Sequence, residues 1–353
     1  NEFGNLDNFS NVWSVIEDSA HYAFNSPHAY SMAGDSAYIA WFKAHHTSTF
    51  YEVAINHYQQ KNKKDKINAL IEESIKFYGY KLGDYKFGND NRTVTVDEKN
   101  KLIYPNLSSV KGFGEGVVNT LYELGLKEYS SFIDVLTALT SNSINKTIIN
   151  KLIRINYFDN YGDVNTLLQI TTYFDLINGI KQMSKEKVIK NNIPFECLKK
   201  YGHETEKQFN KIDSVGLLNE LVSNIEYKEL SLKEKIDNQH EILGIINIVD
   251  PETNKRMYYV SGLEVLKTVT NITLYEIYSG KTRQVKMWTN QYNKEPFDET
   301  DVLYIISLKK KNKKEPTGEI NPETGKKIYA DVPDKFEYWL KKFIVKESLE
   351  DDR

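Results

Sequence analysis

The sequence predicts a multidomain α+β chain: an all-helical first part, a middle domain built on a helix-hairpin-helix, and a C-terminal β-barrel of the OB-fold type. Three observations predict it. Apolar residues recur at spacings of three and four through the first segments. Val110-Lys-Gly-Phe-Gly-Glu-Gly116 places a Gly-x-Gly turn before an apolar helix. From Ile236 onward the period changes from helical to alternating.

In the first part, Trp13, Ile16, Ala20 and Ala23 mark the buried face of a helix from Asn11 to Phe24. Ser26-Pro27 restarts a helix, serine as cap and proline at the first helical position. Its stripe Ala29, Ala33, Ala37, Ala40 and Ala44 predicts close helix packing. Two more helices cover Thr49–Gln60 and Asp65–Tyr78, the latter burying Ile67, Leu70, Ile71 and Ile75.

A Gly/Asn/Asp-rich loop follows, with Thr93–Val96 and Leu102–Tyr104 as a short strand pair. The hairpin comes next. Gly112 and Gly114 are expected to take φ > 0, and their N–H groups, with those of the helix starting near Glu115, suit one phosphate. Val110, Val117, Val118 and Leu121 pack it down. An ordinary strand-turn-helix corner fits the same residues. Helices over Ser130–Leu139 and Asn145–Ile155 follow, and Asn156-Tyr-Phe-Asp159 suggests a second, degenerate hairpin.

Residues 163–235 read as further helices, with Lys181–Lys190 as a solvated basic face. Five strands are expected at Ile242–Val249, Arg256–Val260, Thr273–Tyr278, Arg283–Trp288 and Val302–Leu308, a number that suits an OB barrel. A helix over Pro333–Val345, carrying Trp339, closes the chain. The domain boundaries expected are 1–85, 86–175, 176–235, 236–346 and a tail at 347–353.

Composition narrows the function. The chain has 353 residues and net charge −3, so any nucleic-acid surface is a local patch. The 24 Tyr, 16 Phe and 4 Trp supply both core and stacking platforms. The single Cys197 excludes an internal disulfide and a cysteine-rich zinc site, and suits a reducing cytoplasm. No apolar run is long enough to span a membrane. Five of the seven histidines precede residue 58, without metal-ligand spacing. Asp-x-Asp, Gly-x-Ser-x-Gly and Walker patterns are absent. Two anion-sized features remain besides the hairpin. One is the Asn25-Ser26-Pro27-His28 helix start. The other is Lys309-Lys310-Lys311-Asn312-Lys313-Lys314, read as a basic barrel loop near Tyr258, Tyr259, Tyr275, Tyr278 and Trp288 and suited to a single strand.

Together these residues resemble a known family. Ala23-Phe-Asn-Ser-Pro-His-Ala-Tyr30, then Ala40-Trp-Phe-Lys-Ala-His45 and Phe50, resemble the end of the fingers domain of the bacterial DNA polymerase III alpha subunit. Pro27 stands where that family has Ser before His. Val110–Gly116 resembles the family's hairpin and Asn145–Asp159 the stretch after it, with Asn156 in place of Gly. The lysine-rich linker and chain end resemble phage-type versions. The resemblance implies a C-terminal portion lacking the palm: fingers tail, tandem helix-hairpin-helix domain and OB domain. It implies template-directed DNA synthesis in the parent, with dNTP as substrate and magnesium in the parent palm. The portion itself would carry no cofactor and be inactive as a nucleotidyltransferase. Asn25, Ser26, His28 and Lys43 would face the nucleotide. Lys111, Gly112, Phe113, Gly114, Gly116, Lys309, Lys310, Lys311, Lys313 and Lys314 would meet primer-template DNA. Gln169-Ile-Thr-Thr-Tyr-Phe174 is similar to a sliding-clamp peptide, with Thr172 where an apolar residue is wanted. Two other readings stay open: a stand-alone accessory DNA-binding protein, and a metal-dependent hydrolase using the N-terminal histidines.

Overall fold

The computed structural model describes residues 6–21, 26–61, 63–110, 112–320, 327–347 and 349. They fall into two compact units. The first holds the described residues up to Lys81 together with Val94–Tyr104; the second holds Leu82–Thr93 and the described residues from Pro105 onward.

The first unit has four helices: α1 (Leu6–His21), α2 (Ser26–His45), α3 (Thr47–Gln60) and α4 (Lys64–Tyr78). A small sheet, β1 (Lys81–Leu82), β2 (Thr95–Asp97) and β3 (Leu102–Tyr104), has the order β1-β3-β2. Its anchor is α3, which buries Tyr51 and Ile55. The Asn56 amide donates to the Val94 carbonyl at 2.8 Å and accepts from the Val94 N–H at 2.9 Å, so one side chain replaces a ladder bond on each side. Glu52 accepts from the Val96 N–H at 3.0 Å in the same way. Two predicted buried faces are instead exposed: Trp13 and Ile16 on α1, and Ala33, Ala37, Ala40 and Ala44 on α2. Helical spacing fixes which residues share a face, but not whether anything covers that face. On α4, Ile67, Leu70 and Ile71 are half-buried and Ile75 is exposed.

The second unit begins with four helices around one core: α5 (Glu115–Gly125), α6 (Phe132–Ser141), α7 (Lys146–Arg154) and α8 (Val164–Ile177). Each of the last three starts on a side-chain cap, Ser131, Asn145 and Asp163, whose oxygen accepts a first-turn N–H. Leu121, Leu136, Leu139, Leu152 and Phe158 are fully buried between them. After α8 the chain is not purely helical as expected. β4 (Gln182–Ser184), α9 (Lys185–Lys190), α10 (Phe195–Tyr201), β5 (His203–Glu204), β6 (Gln208–Asn210) and α11 (Ser214–Ser223) follow, with sheet order β4-β6-β5. These strands have two or three residues each, too few to show an alternating pattern.

α12 (Leu232–Leu243) leads into the barrel. Its capping box on Ser231 and Glu234 and its left-handed Gly244 cap hold Ile242 in helix, so the strand expected at Ile242–Val249 does not form. The strands are β7 (Met257–Val265), β8 (Val269–Glu276), β9 (Lys281–Trp288), β10 (Val302–Ile320) and β11 (Lys327–Lys346), with α13 (Thr289–Tyr292) between β9 and β10. They close in the order β7-β8-β9-β11-β10, with β10 returning to β7. All neighbours are antiparallel except β9 and β11. The predicted helix over Pro333–Val345 is therefore strand β11. Residue-by-residue pairing with β10 decides this, from Lys346 opposite Val302 to Phe336 opposite Asn312. The proline sits where the register breaks, between Phe336 and Asp331, beside Asp334 at φ +57. Likewise the basic run Lys309–Lys314 is not a loop but part of β10. Val260, Ile272, Leu274, Val285, Met287, Leu303 and Leu340 fill the interior.

Candidate nucleic-acid interface

The hairpin is built from its own backbone. Asn106 accepts the Ser108 N–H at 2.6 Å and starts a short 3-10 turn, Leu107–Ser109. The Phe113 N–H then bonds to the Val110 carbonyl at 3.1 Å, closing a tight turn with Gly112 near its tip. Gly112 has φ +98, which requires glycine, whereas Gly114 has φ −76. Only one of the two glycines therefore takes the positive φ expected of both. Gly114 is instead the extended N-cap of α5. A Cβ on Gly112 would lie 3.4 Å from the Lys151 ammonium, so α7 carries a cation to the glycine turn.

Val110, Phe113, Val118 and Leu121 are all buried beneath the turn. The Phe113 ring is core, leaving only its backbone for a ligand, while Gly116 is exposed in the first turn of α5. Lys111 lies outside the described residues. The arrangement is a glycine turn, a helix N-terminus and a neighbouring ammonium, a combination that suits an anion. Glu115, exposed in that turn, is the one acid there.

A second turn repeats the pattern, and cations near it are paired with acids. Asn156 has φ +62 after α7, and the Tyr157 N–H bonds back to the Leu152 carbonyl at 3.0 Å. Arg154 bonds Asn238 at 2.7 Å and pairs with Glu241, and Lys86 pairs with Asp159 at 2.6 Å. The Arg154 guanidinium holds the Glu241 carboxyl below its ordinary range.

The barrel presents the third feature. Along β10, Lys309 faces Trp339 and Lys311 faces Glu337 across the ladder. The Lys311 ammonium lies 3.7 Å from the Trp339 ring centre and 5.4 Å from that of Trp288. The two indoles are 4.5 Å apart. Glu337 accepts from the Trp339 N–H at 2.6 Å and pairs with Lys286 at 2.6 Å, which fixes the ring. Burial pushes the Lys311 pKa down, helped by Lys341 and Lys309 nearby. Trp288 remains 42% exposed beside this cluster. Lys310 stacks on Phe336 at 3.5 Å, while Lys313 and Lys314 pair with Glu315 and Asp331.

The tyrosines expected to stack on bases are largely elsewhere. Tyr258, Tyr259 and Tyr275 are buried, their hydroxyls bonded to Glu276, Asp237 and the Ile248 carbonyl. Tyr278 is half-buried under Lys255. Trp339 and Lys341 were missed because their strand reads as a helix, whereas Lys286 lies on β9, a strand the sequence predicts, with nothing local to set it apart. The signal was present in Glu337-Tyr-Trp-Leu-Lys341, where Tyr338 and Leu340 alternate with the cluster.

In the first unit, Asn25 lies outside the described residues and Ser26 opens α2. His28 is exposed in its first turn. Lys43 pairs with Glu73 at 2.5 Å and lies over Phe50 and Tyr51. Gln169–Phe174 is within α8, with Ile170 and Phe174 buried in the core. Among the described residues, no three His, Cys, Asp or Glu converge to hold a metal, and no helix is long and apolar enough to cross a membrane.

Residues 88–167, which hold both turns, match the helix-hairpin-helix motif family. The relatives are DNA polymerase III alpha subunits. The DNA polymerase III subunit alpha of Ureaplasma parvum serovar 3 is 25% identical over 68% of this chain and 27% of its own length. That of Pseudomonas aeruginosa is 25% identical over 67% of this chain and 20% of its own. That of Mycoplasma genitalium is 30% identical over 40% of this chain and 16% of its own. The chain is thus a relative of the bacterial DNA polymerase III alpha subunits and spans about a quarter or less of the length of those it matches.

Proposed function

We propose that this chain is the DNA-holding C-terminal part of a replicative polymerase of the DNA polymerase III alpha type. The first hairpin grips the backbone of the primer-template duplex without reading bases. The barrel is an OB fold, a reading supported by its strand order and its parallel β9–β11 pair. Its exposed Trp288, backed by the buried Trp339 and beside Lys311, stacks on and neutralises the single-stranded template. In this reading Ser26 and His28 approach the incoming dNTP. Lys43, paired with Glu73, has a supporting place there. DNA synthesis belongs to the magnesium-bearing palm of the whole protein, in the cytoplasm. In this reading the chain alone binds DNA without extending it.

The observation that carries the proposal is the glycine turn at Gly112 (φ +98), ahead of α5 and beside the Lys151 ammonium. A folded Gly114→Val variant tests it, because a Cβ at Gly114 meets nothing within 4 Å and its φ suits any residue. The branched side chain covers the N–H groups, and affinity for a primer-template duplex should fall about tenfold in a fluorescence-anisotropy titration. Unchanged affinity in the folded variant removes the hairpin from the interface.

A further inference from the structure

The segment expected to be a helical linker has a topology of its own. Residues 164–223 run α8, β4, α9, α10, β5, β6, α11, and the sheet order is β4-β6-β5. A helix, a strand, two helices joined by a short turn, and a hairpin whose second strand lies centrally make a winged helix-turn-helix. The turn has the needed chemistry. Asn192 takes φ +51, Ile193 is 3% exposed and plugs the core, and Pro194 caps α10. The three parts share one interior, formed by Met183, Val188, Leu198, Phe209, Leu217 and Leu221. The wing is a tight turn. The Thr205 N–H bonds the Gln208 carbonyl at 2.8 Å, and the Lys185 N–H ties α9 to the Lys207 carbonyl at 3.0 Å.

A topology alone does not assign a function, so the side chains must decide. Each of the three parts that a helix-turn-helix turns toward a duplex carries exposed lysine: Lys187 and Lys190 on α9, Lys199 and Lys200 on α10, and Lys207 on the wing. Helix α10 buries Leu198 and exposes Glu196, Lys199 and Lys200 on the other side. The acids nearby are partly engaged. Glu204 is held by Lys185, Glu196 by Lys199 and Glu220 by Lys200. Exposed pairs of this kind are weak and exchange readily for phosphate contacts.

We propose that residues 164–223 are a second double-stranded DNA contact, with α10 entering the major groove and the Lys207 wing lying along the backbone. The major groove has the width for one helix, and the second helix of a helix-turn-helix is the one that enters. The module rests on the reading of the chain as a DNA binder but is separate from the Gly112 hairpin.

The test uses the full chain, a 40-base-pair duplex (~40, about four turns) and its single strand. The variant is Lys187→Glu, Lys190→Glu, Lys199→Glu and Lys207→Glu, with circular dichroism to confirm folding. A charge-matched control changes Lys63, Lys66, Lys76 and Lys99, which are exposed in the other unit. The module variant should lose at least about tenfold in duplex affinity, and its salt slope should fall by up to about 3.6, near 0.9 for each of the four lost phosphate contacts. The control and the single-strand affinity should hold. Three results overturn the proposal: unchanged duplex affinity and slope, an equal loss in the control, or an equal loss on single strands. Gly114→Val, measured alongside, fails or succeeds independently and reports only on the hairpin.

Discussion

Substituting Gly112 by alanine separates backbone geometry from chemistry at the hairpin. An L residue at φ +98 is strained by about 1–3 kcal/mol. The added methyl brings little clash, since the nearest atom is the flexible Lys151 ammonium at 3.4 Å. The unfolded chain loses freedom on Gly→Ala, which offsets about 0.4–1 kcal/mol. The net expectation is destabilisation of the second unit by about 1–2 kcal/mol. Urea unfolding followed by circular dichroism reads this as a lower midpoint at unchanged slope. Gly114→Ala is the matched comparison. Its φ of −76 and open surroundings predict a change within about 0.5 kcal/mol. If the two variants unfold at the same urea concentration, the left-handed turn at Gly112 is not what the fold depends on, and the hairpin geometry is refuted.

Trp288→Ala should weaken single-strand binding by about 1–3 kcal/mol, measured by anisotropy of a labelled strand with folding confirmed by circular dichroism; unchanged affinity would remove the ring from the interface. Leu340→Ala, fully buried in the barrel, should cost about 2–5 kcal/mol in a denaturant titration; a smaller effect would place β11 outside the core. Ser231→Ala removes the α12 cap and should cost about 0.5–2 kcal/mol by the same measurement. The Ser231 hydroxyl and its N–H hold the Glu234 carboxyl below its ordinary range. A depressed folded pKa contributes stability that is complete above the unfolded carboxylate range. It is lost as pH falls through the folded value, so the cost of Ser231→Ala should shrink in acid.

Helix positions were legible where caps and apolar periods agreed. Asn145, Ile148, Ile149, Leu152 and Ile153 announce α7, and the structure starts and buries it on those residues. The glycine turn was legible because only glycine suits φ +98, though the sequence alone could not say that Gly114 would be extended. The β11 error has a physical cause. Lys335 to Val345 carries long and aromatic side chains compatible with either state, and its partner β10 lies beyond any local window. That error hid the Trp339 side of the barrel face. Lys151 at the Gly112 turn was invisible for a related reason, since α5, α6 and the start of α7 separate the two in sequence.

The parallel seam of the barrel has a consequence for how ligand and fold communicate. β9 and β11 are registered at only two positions, Tyr338 with Val285 and Trp339 with Lys286. Side chains carry the rest of the closure: the Lys286–Glu337 pair and the Trp288–Trp339 contact both cross it. With so short a ladder, this seam should open ahead of the longer β7–β8–β9 ladders, an opening that amide hydrogen exchange reads. Anything that stacks on Trp288, whose ring packs on the buried Trp339 across the seam, braces that contact. Its binding energy is then thermodynamically linked to closure: the ligand slows exchange there, and loosening the seam weakens the ligand by the same factor.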